Sequence, residues 1–184
     1  KEIQALQKKT KIRIFHGVES DILADGNLDY DKEILKEFDF IIASVHSRFQ
    51  MDQKTMTERI TKALSNPFTT FWGHPTGRLL LARPGYHIDY SACLRAARDN
   101  QVIIELNANP QRLDFDWRLG PEIEKNNLLI SINPDAHSLA GISDTCYGEW
   151  MAEKAMIPQN LIFNLMTVHE VEKFFWQKKK IALR

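Results

Sequence analysis

The sequence is poor in cysteine and has no excess of charge of either sign. Its 184 residues include two cysteines, Cys93 and Cys146, which lie far apart and form no C-x-x-C pair. This spacing argues against a disulfide scaffold and favours reduced, structural thiols of a cytoplasmic protein. The 24 basic residues balance the 24 acidic ones, so overall charge predicts attraction neither to nucleic acid nor to an anionic membrane.

Long apolar runs and several common motifs are also missing. No apolar stretch approaches the roughly 20 residues of a membrane span, and no signal-peptide pattern is visible. The sequence contains no P-loop, no G-x-G-x-x-G and no G-x-S-x-G, which argues against nucleotide-binding loops and serine-hydrolase elbows. A hydrophobic share of 43% and a charged share of 26% are typical of a soluble globular protein. We expect one domain, residues 1–184, with no membrane contact.

Short apolar segments alternate with helical patterns along the chain. The predicted strands are continuous apolar runs, as in a parallel sheet covered on both faces: KIRIF (11–15), FDFIIASV (38–45), FTTFWG (68–73), QVIIELN (101–107) and NLLISIN (127–133). Helices are predicted at 56–66, 89–100 and 121–127, and a last one begins with a capping box of Thr167 and Glu170. This alternation predicts an α/β fold with a parallel sheet.

Side chains that can bind metal follow the ends of these strands. Glu19, His46 and His74 follow the first three predicted strands, and Asp135 and His137 follow the last. The carboxyl ends of parallel strands share one edge, so we expect the five side chains to converge there. A mixture of imidazoles and carboxylates suits zinc, manganese or iron better than magnesium or calcium. The sequence therefore predicts a metal site rather than a nucleophilic triad.

Each of these residues also has a simpler interpretation when it is taken alone. A single histidine after a strand is more often hydrogen-bonded than bound to metal. Asp135 alone can cap a helix, and Glu19 alone can be a solvated loop carboxylate. The joint pattern favours metal, because buried carboxylates and imidazoles without a cation would be costly.

Six segments of the sequence form recognisable motifs: GVESDILADGNLDY, IIASVHSRF, MTERITKALSNP, GHPTGRLL, IELNANPQRLD and INPDAHS. Together they resemble the polymerase and histidinol phosphatase (PHP) domain, and most closely the C-terminal PHP domain of bacterial family X DNA polymerases. The resemblance implies a distorted (β/α)7 barrel that holds up to three divalent ions, Zn²⁺ or Mn²⁺, at its strand ends. By motif, Glu19 matches a carboxylate that bridges two metals, and His46 and His74 complete the second metal. Asp135 matches a ligand of the first metal and His137 a ligand of the third.

The resemblance also implies an activity and partners. The family hydrolyses phosphoesters, and its polymerase-linked branch implies 3′-5′ exonuclease activity and 3′-end processing in DNA repair, with a polymerase domain in cis. Glu19, Asp135 and His137 would then be catalytic. Arg78 is predicted either to contact a substrate phosphate or to form a structural ion pair. Asn107 and Asn109 are predicted to support the imidazoles from a second layer.

Two histidine motifs of the family are absent from the sequence. The family opens with H-x-H on its first strand and a further histidine motif on its second, and neither precedes Glu19. We therefore expect the C-terminal portion of a PHP domain, truncated at its N-terminus, as a partial barrel that lacks the first two βα units. Exposed strand edges would favour self-association. By itself the chain would be weakly active or inactive.

Two other functions remain open at this point. One is a stand-alone phosphatase for a small phosphomonoester such as histidinol phosphate, against which the polymerase-branch motifs argue. The other is a non-catalytic, degenerate PHP module that supports a polymerase or binds DNA. The missing histidines favour that alternative, whereas the five ligand-type residues oppose it.

Overall fold

A computed structural model describes residues 2–183 and contains a five-stranded, all-parallel sheet. The strands are β1 (Gly17–Asp21), β2 (Phe40–Ser44), β3 (Thr69–Trp72), β4 (Ile103–Asn107) and β5 (Ile130–Asn133). Their order in the sheet is their order in the chain, because each strand pairs with the next. This order is that of a segment of a (β/α) barrel and confirms the predicted α/β class.

Seven α-helices accompany the sheet in the described part of the chain. They are α1 (Glu2–Gln7), α2 (Lys32–Leu35), α3 (Gln53–Leu64), α4 (Tyr90–Asp99), α5 (Gly120–Lys125), α6 (Thr145–Lys154) and α7 (Val168–Ala182). Short 3₁₀ turns lie at Trp117–Leu119, Ala140–Asp144, Gln159–Leu161 and Phe163–Leu165. The predicted capping box of Thr167 and Glu170 is confirmed at the start of α7. None of the described helices is long and apolar enough to cross a membrane.

The first strand is the one that sequence reasoning placed wrongly. The predicted strand at 11–15 is irregular, and β1 begins at Gly17, which pairs with Phe40. The amide of Ile14 donates to the Gln7 side chain, and that of His16 donates to Asp39. Because side chains satisfy these donors, this segment forms no ladder with β2. The observed strand, GVESD, has a single ladder, with β2, among residues 2–183, and its polar sequence lies outside the predicted apolar runs.

Both faces of the sheet are covered by apolar side chains. Trp72 and Ile104 belong to the main core, together with α3 and α4 residues such as Met56. Their chain neighbours Phe71 and Ile103 point to the other face and form a second cluster with Phe163 and Phe175. Adjacent strand residues alternate between faces. The carboxyl ends of the strands are therefore where polar side chains can gather.

Candidate metal centre

Glu19 lies within β1 rather than after a strand, and it meets His46 and His74, which follow β2 and β3. The Oε1 atom of Glu19 lies 3.4 Å from Nε2 of His46 and 3.2 Å from Nε2 of His74. The two Nε2 atoms lie 3.2 Å from each other. One carboxylate oxygen and two imidazole nitrogens therefore form a nearly equilateral triangle.

This triangle has the size that a single small cation requires. Nitrogen and oxygen ligands bind zinc at roughly 2.0–2.2 Å, so adjacent donors of a tetrahedral site are about 3.3–3.6 Å apart. The three measured separations lie at or just below this range. A carboxylate with two imidazoles suits zinc or manganese. The residues present thus fit one divalent ion, and their side chains would hold it.

Asp21 orients His46 toward this triangle. Its Oδ1 atom lies 2.5 Å from Nδ1 of His46, so the ring turns Nε2 toward Glu19. A carboxylate on the far nitrogen of a metal-binding histidine fixes both the tautomer and the ring plane. The sequence signal was present, because Asp21 follows Glu19 by two residues and lies on the same side of β1. Sequence reasoning nevertheless missed this contact.

His74 is held by its backbone in a buried turn. Its side chain is only 3% exposed, and its φ of 26° is in the left-handed region that residues other than glycine disfavour. The amide of His74 donates to Oε2 of Glu105 at 2.7 Å, and the amide of Thr76 donates to Oδ1 of Asp114 at 2.9 Å. Both carboxylates are buried. These bonds keep the strained turn, and with it the imidazole, in place.

Glu19 and His46 shift each other's pKa. Burial raises the pKa of Glu19, but hydrogen bonds with His46 and His74 outweigh it and bring the pKa well below its ordinary value. Glu19 raises the pKa of His46 to about 9, with help from Asp21 and against the effect of burial. Glu19 is therefore an ionised carboxylate, and His46 carries a proton beside it. A bound cation would displace that proton, because a ligating imidazole must be neutral.

Asp135 lies outside the triangle but on the same cavity. Glu19 and Asp135 both line a cavity of about 360 Å³, whose other wall includes Phe71 and Phe163. Asp135 accepts a hydrogen bond from Nδ2 of Asn107 at 3.1 Å. The Nε atom of Arg112 lies 3.6 Å from its carboxylate. The side chain is thus held at the rim of a space that Glu19 also reaches.

The remaining predicted site residues lie further away. His137 is 86% exposed, and its Nδ1 atom lies 2.8 Å from the carbonyl oxygen of Asp135. Asn107 binds Asp135 and Glu105, and Asn109 accepts from Gln111 in a turn. The second-layer partner of an imidazole in the described residues is Asp21, and neither asparagine takes that place.

Arg78 has the structural role that was one of its two predicted alternatives. Its Nη1 atom binds Asp116 at 2.9 Å, and its Nε atom donates to the Arg112 carbonyl at 3.0 Å. A third bond goes to the carbonyl of Leu113. The guanidinium therefore joins the segment after β3 to the segment after β4.

The sequence is similar to those of several known proteins. No protein-family model matches the chain. It is 38% identical over 175 residues to "DNA polymerase/3'-5' exonuclease PolX" of Bacillus subtilis. The matched region covers 95% of this chain but 31% of that protein. It is 30% identical over 190 residues to a "Probable phosphatase" of Acetivibrio thermocellus, covering 94% of this chain and 72% of the relative. A "Probable phosphatase" of Caldanaerobacter subterraneus is 26% identical over 187 residues, with 95% and 70% covered.

Proposed function

The chain belongs to the PHP family, and from that premise we propose that it is a metal-dependent phosphoesterase whose centre is Glu19, His46 and His74. The observation that carries the proposal is the triangle of donor atoms, with separations of 3.2–3.4 Å. The triangle combines one ionised carboxylate with two imidazoles at the open edge of the sheet. Glu19 is 41% exposed and His46 is 37% exposed, so a phosphate group can reach the donors from solvent.

The residues around the centre have distinct tasks in this proposal. A bound divalent ion, zinc or manganese, supplies positive charge that offsets the charge developing on a phosphoryl group. Asp21 keeps Nε2 of His46 directed at the centre. Asp135, held by Asn107 and Arg112, presents a carboxylate to the shared cavity and can accept a proton from an attacking water. His137 and Asp135 would also serve further ions if the site takes up more than one.

We propose the 3′ end of DNA as the substrate. The support is the identity of 38% over 95% of this chain with the Bacillus subtilis polymerase and exonuclease. Because the chain spans 31% of that protein, the exonuclease activity, the polymerase domain in cis and the role in DNA repair are all part of the proposal.

A small phosphomonoester is the second candidate substrate. The relatives called "Probable phosphatase" are covered by this chain over 72% and 70% of their length. The similarity to these relatives extends over most of both sequences, whereas the match to the polymerase covers only a segment of that protein. A phosphatase acting on a compact substrate would use the same centre.

Hydrolysis assays with two substrates test the proposal and separate these candidates. The chain, freed of metal with a chelator, is given Mn²⁺ or Zn²⁺ and then either a 3′-labelled oligonucleotide or histidinol phosphate. Because the chain lacks the family's N-terminal histidines, we expect slow but metal-dependent release of the 3′ nucleotide, together with loss of both bound metal and activity in His46→Ala. The matched control is His137→Ala, which should retain metal at the triangle because His137 lies outside it.

The outcomes are distinguishable. Faster hydrolysis of histidinol phosphate than of the oligonucleotide would favour the phosphatase. Stoichiometric metal without hydrolysis of either substrate would favour a non-catalytic module. Undiminished metal content in His46→Ala would reject the centre itself.

A further inference from the structure

A second and larger cavity lies among the chain segments that follow β3 and β4. It measures about 810 Å³ and lies between the segment after β3, residues 76–90, and the segment after β4, residues 116–119. We call it the loop cavity. Its charged and ring-bearing lining residues include Arg78, Arg83, His87, Tyr90, Asp116 and Arg118.

The lining of the loop cavity is rich in positive charge. Three arginines face one acidic residue, Asp116, which binds both Arg78 and Arg118. The Arg118 side chain is 72% exposed despite this pair, so it can also reach a ligand. The chain as a whole has no net charge. The excess of guanidinium groups is therefore a local property of this cavity, and it favours an anion.

Rings and exposed apolar side chains accompany these cations. His87 is exposed and the Tyr90 ring is partly buried, and both line the cavity. Leu80 and Leu81 also line it and are unusually exposed, at 40% and 110%. Guanidinium groups beside rings and apolar surface are typical of sites for single-stranded nucleic acid, where bases stack and phosphates pair with arginine.

The loop cavity and the metal centre share one edge of the sheet. Arg78 follows the ligand His74 by four residues, which span at most about 14 Å of extended chain. Thr76 lines the cavity and lies between them. Both surrounding segments leave the carboxyl ends of parallel strands, as the metal-binding residues do. A single DNA strand whose 3′ terminus lies at the metal centre can therefore continue into the loop cavity.

We propose that the loop cavity binds the single-stranded DNA segment that precedes the 3′ terminus held at the metal centre. This rests on the proposed function and names the place where its substrate is held. Arg118 contacts a backbone phosphate, and His87 stacks on a base. A small phosphomonoester would not extend into this cavity, so the cavity favours a polynucleotide over a compact substrate.

Binding without hydrolysis tests the proposal directly. A fluorescent oligothymidine is titrated with the whole chain in excess chelator, and anisotropy gives the dissociation constant at several salt concentrations. In the double variant Arg118→Gln, His87→Ala, we expect binding to weaken about tenfold. The slope of log affinity against log salt should fall by about 0.7, the value of one phosphate contact to a single strand. Both side chains are exposed, and circular dichroism checks that the variant is folded.

The matched control is Arg98→Gln, which removes the same charge elsewhere. Arg98 lies in the last turn of α4, pairs with Asp99, and is 48% exposed. The affinity of the Arg98→Gln variant for oligothymidine should stay within twofold of the wild type. Equal weakening in the control and the double variant would overturn the proposal. A second comparison uses the single variant His87→Ala with oligothymidine and with inorganic polyphosphate, which has no bases to stack on. An equal loss of affinity for the two ligands would also overturn the proposal.

Failure of this inference differs from failure of the proposed function. Tight DNA binding that depends on Arg118 and His87, without metal-dependent hydrolysis, would support the cavity and reject the activity. Hydrolysis with unchanged KM and unchanged oligothymidine affinity in the double variant would support the activity and reject the cavity.

Discussion

At the residue scale, the metal centre depends on hydrogen bonds that hold each ligand side chain in one orientation. The structure brings Glu19, His46 and His74 together. His46 and His74 follow β2 and β3, whereas Glu19 lies within β1. The side chains that fix their orientation were harder to predict. Asp21 reaches His46 from a neighbouring strand, and Glu105 reaches the His74 backbone from the adjacent strand β4. Such contacts depend on register and rotamer, which strand-end spacing does not encode.

Asp21→Asn should weaken metal binding without unfolding the protein. An amide on Nδ1 of His46 is a poorer acceptor than a carboxylate, and it can turn the ring toward the wrong tautomer. We expect a loss of about 10–100-fold in zinc affinity, measured by competition with a chromophoric chelator.

Asp25→Asn is the matched control for this change. Asp25 is exposed in the same segment and binds Asn27 rather than a histidine. Equal zinc affinity in Asp21→Asn and the wild type would show that the 2.5 Å contact does not orient the ligand.

Lys178 provides a prediction about pH. It is 5% exposed on α7, and its Nζ atom donates to the Asn100 carbonyl at 2.7 Å. Burial lowers the pKa of Lys178 from 10.5 to about 8. Between these values the unfolded chain binds more protons than the folded one, so this residue makes stability rise with pH in that window.

Lys178→Met should remove this rise and stabilise the protein at pH 7. The charged amine costs up to about 3 kcal/mol there, from which roughly 1 kcal/mol is subtracted for the lost hydrogen bond. Urea unfolding at pH 7 and at pH 10 measures both effects. The exposed Lys173→Met should leave the pH dependence unchanged. A variant at Lys178 that is less stable than the wild type at pH 7 would contradict the assignment.

At the scale of elements, apolar pattern predicted what is buried and missed what packs through small or polar residues. Strands β2 to β5 fall within the predicted apolar runs. Helix α6 was missed because its buried residues are Gly148 and Ala152, so it has no apolar stripe. A Cβ atom on Gly148 would meet Ile132 and Ala108. The close approach of α6 to the sheet therefore depends on an absent side chain, which periodicity does not detect.

Helix α3 contributes to the metal centre through Arg59. This guanidinium is buried and donates to the carbonyl oxygens of Ile22, Leu23 and Ser47. Those residues immediately follow Asp21 and His46 in the chain. One side chain of α3 thus holds together the two segments that leave β1 and β2.

Arg59→Met should lower both stability and metal affinity. Three buried carbonyls lose a charged donor, which corresponds to about 2–4 kcal/mol in the free energy of unfolding. Urea denaturation measures this loss, and the chelator competition measures the loosened ligands. Arg95→Met, an exposed position on α4, should change neither by more than about 0.5 kcal/mol. Stability unchanged in Arg59→Met would show that water replaces the guanidinium.

At the scale of the whole molecule, the sheet has two outer strands with different environments. The outer edge of β5 is occupied at Ile132, because Asn164 accepts from its amide at 2.7 Å and donates to its carbonyl at 2.9 Å. Within residues 2–183, strand β1 pairs with β2 alone. The predicted exposure of strand edges therefore applies to β1, and self-association through it stays a prediction.

The metal should also stabilise the whole fold, because its three ligands come from three different strand ends. An ion that binds the folded chain and not the unfolded one, at 100 times its dissociation constant, adds about 2.7 kcal/mol. For a chain of this size, that corresponds to a rise of about 5–10 °C in Tm. Differential scanning fluorimetry with Zn²⁺ or Mn²⁺ measures the rise.

Two comparisons decide whether the triangle is the source of this stabilisation. Glu19→Gln removes the ionised carboxylate and should abolish most of the rise, whereas His137→Ala should keep it. Mg²⁺ should give a smaller shift than Mn²⁺, since two of the three donors are nitrogen and magnesium prefers oxygen. An equal rise in Glu19→Gln and the wild type would place the stabilising ion elsewhere, and the geometry of β1, β2 and β3 would then lose its assigned role.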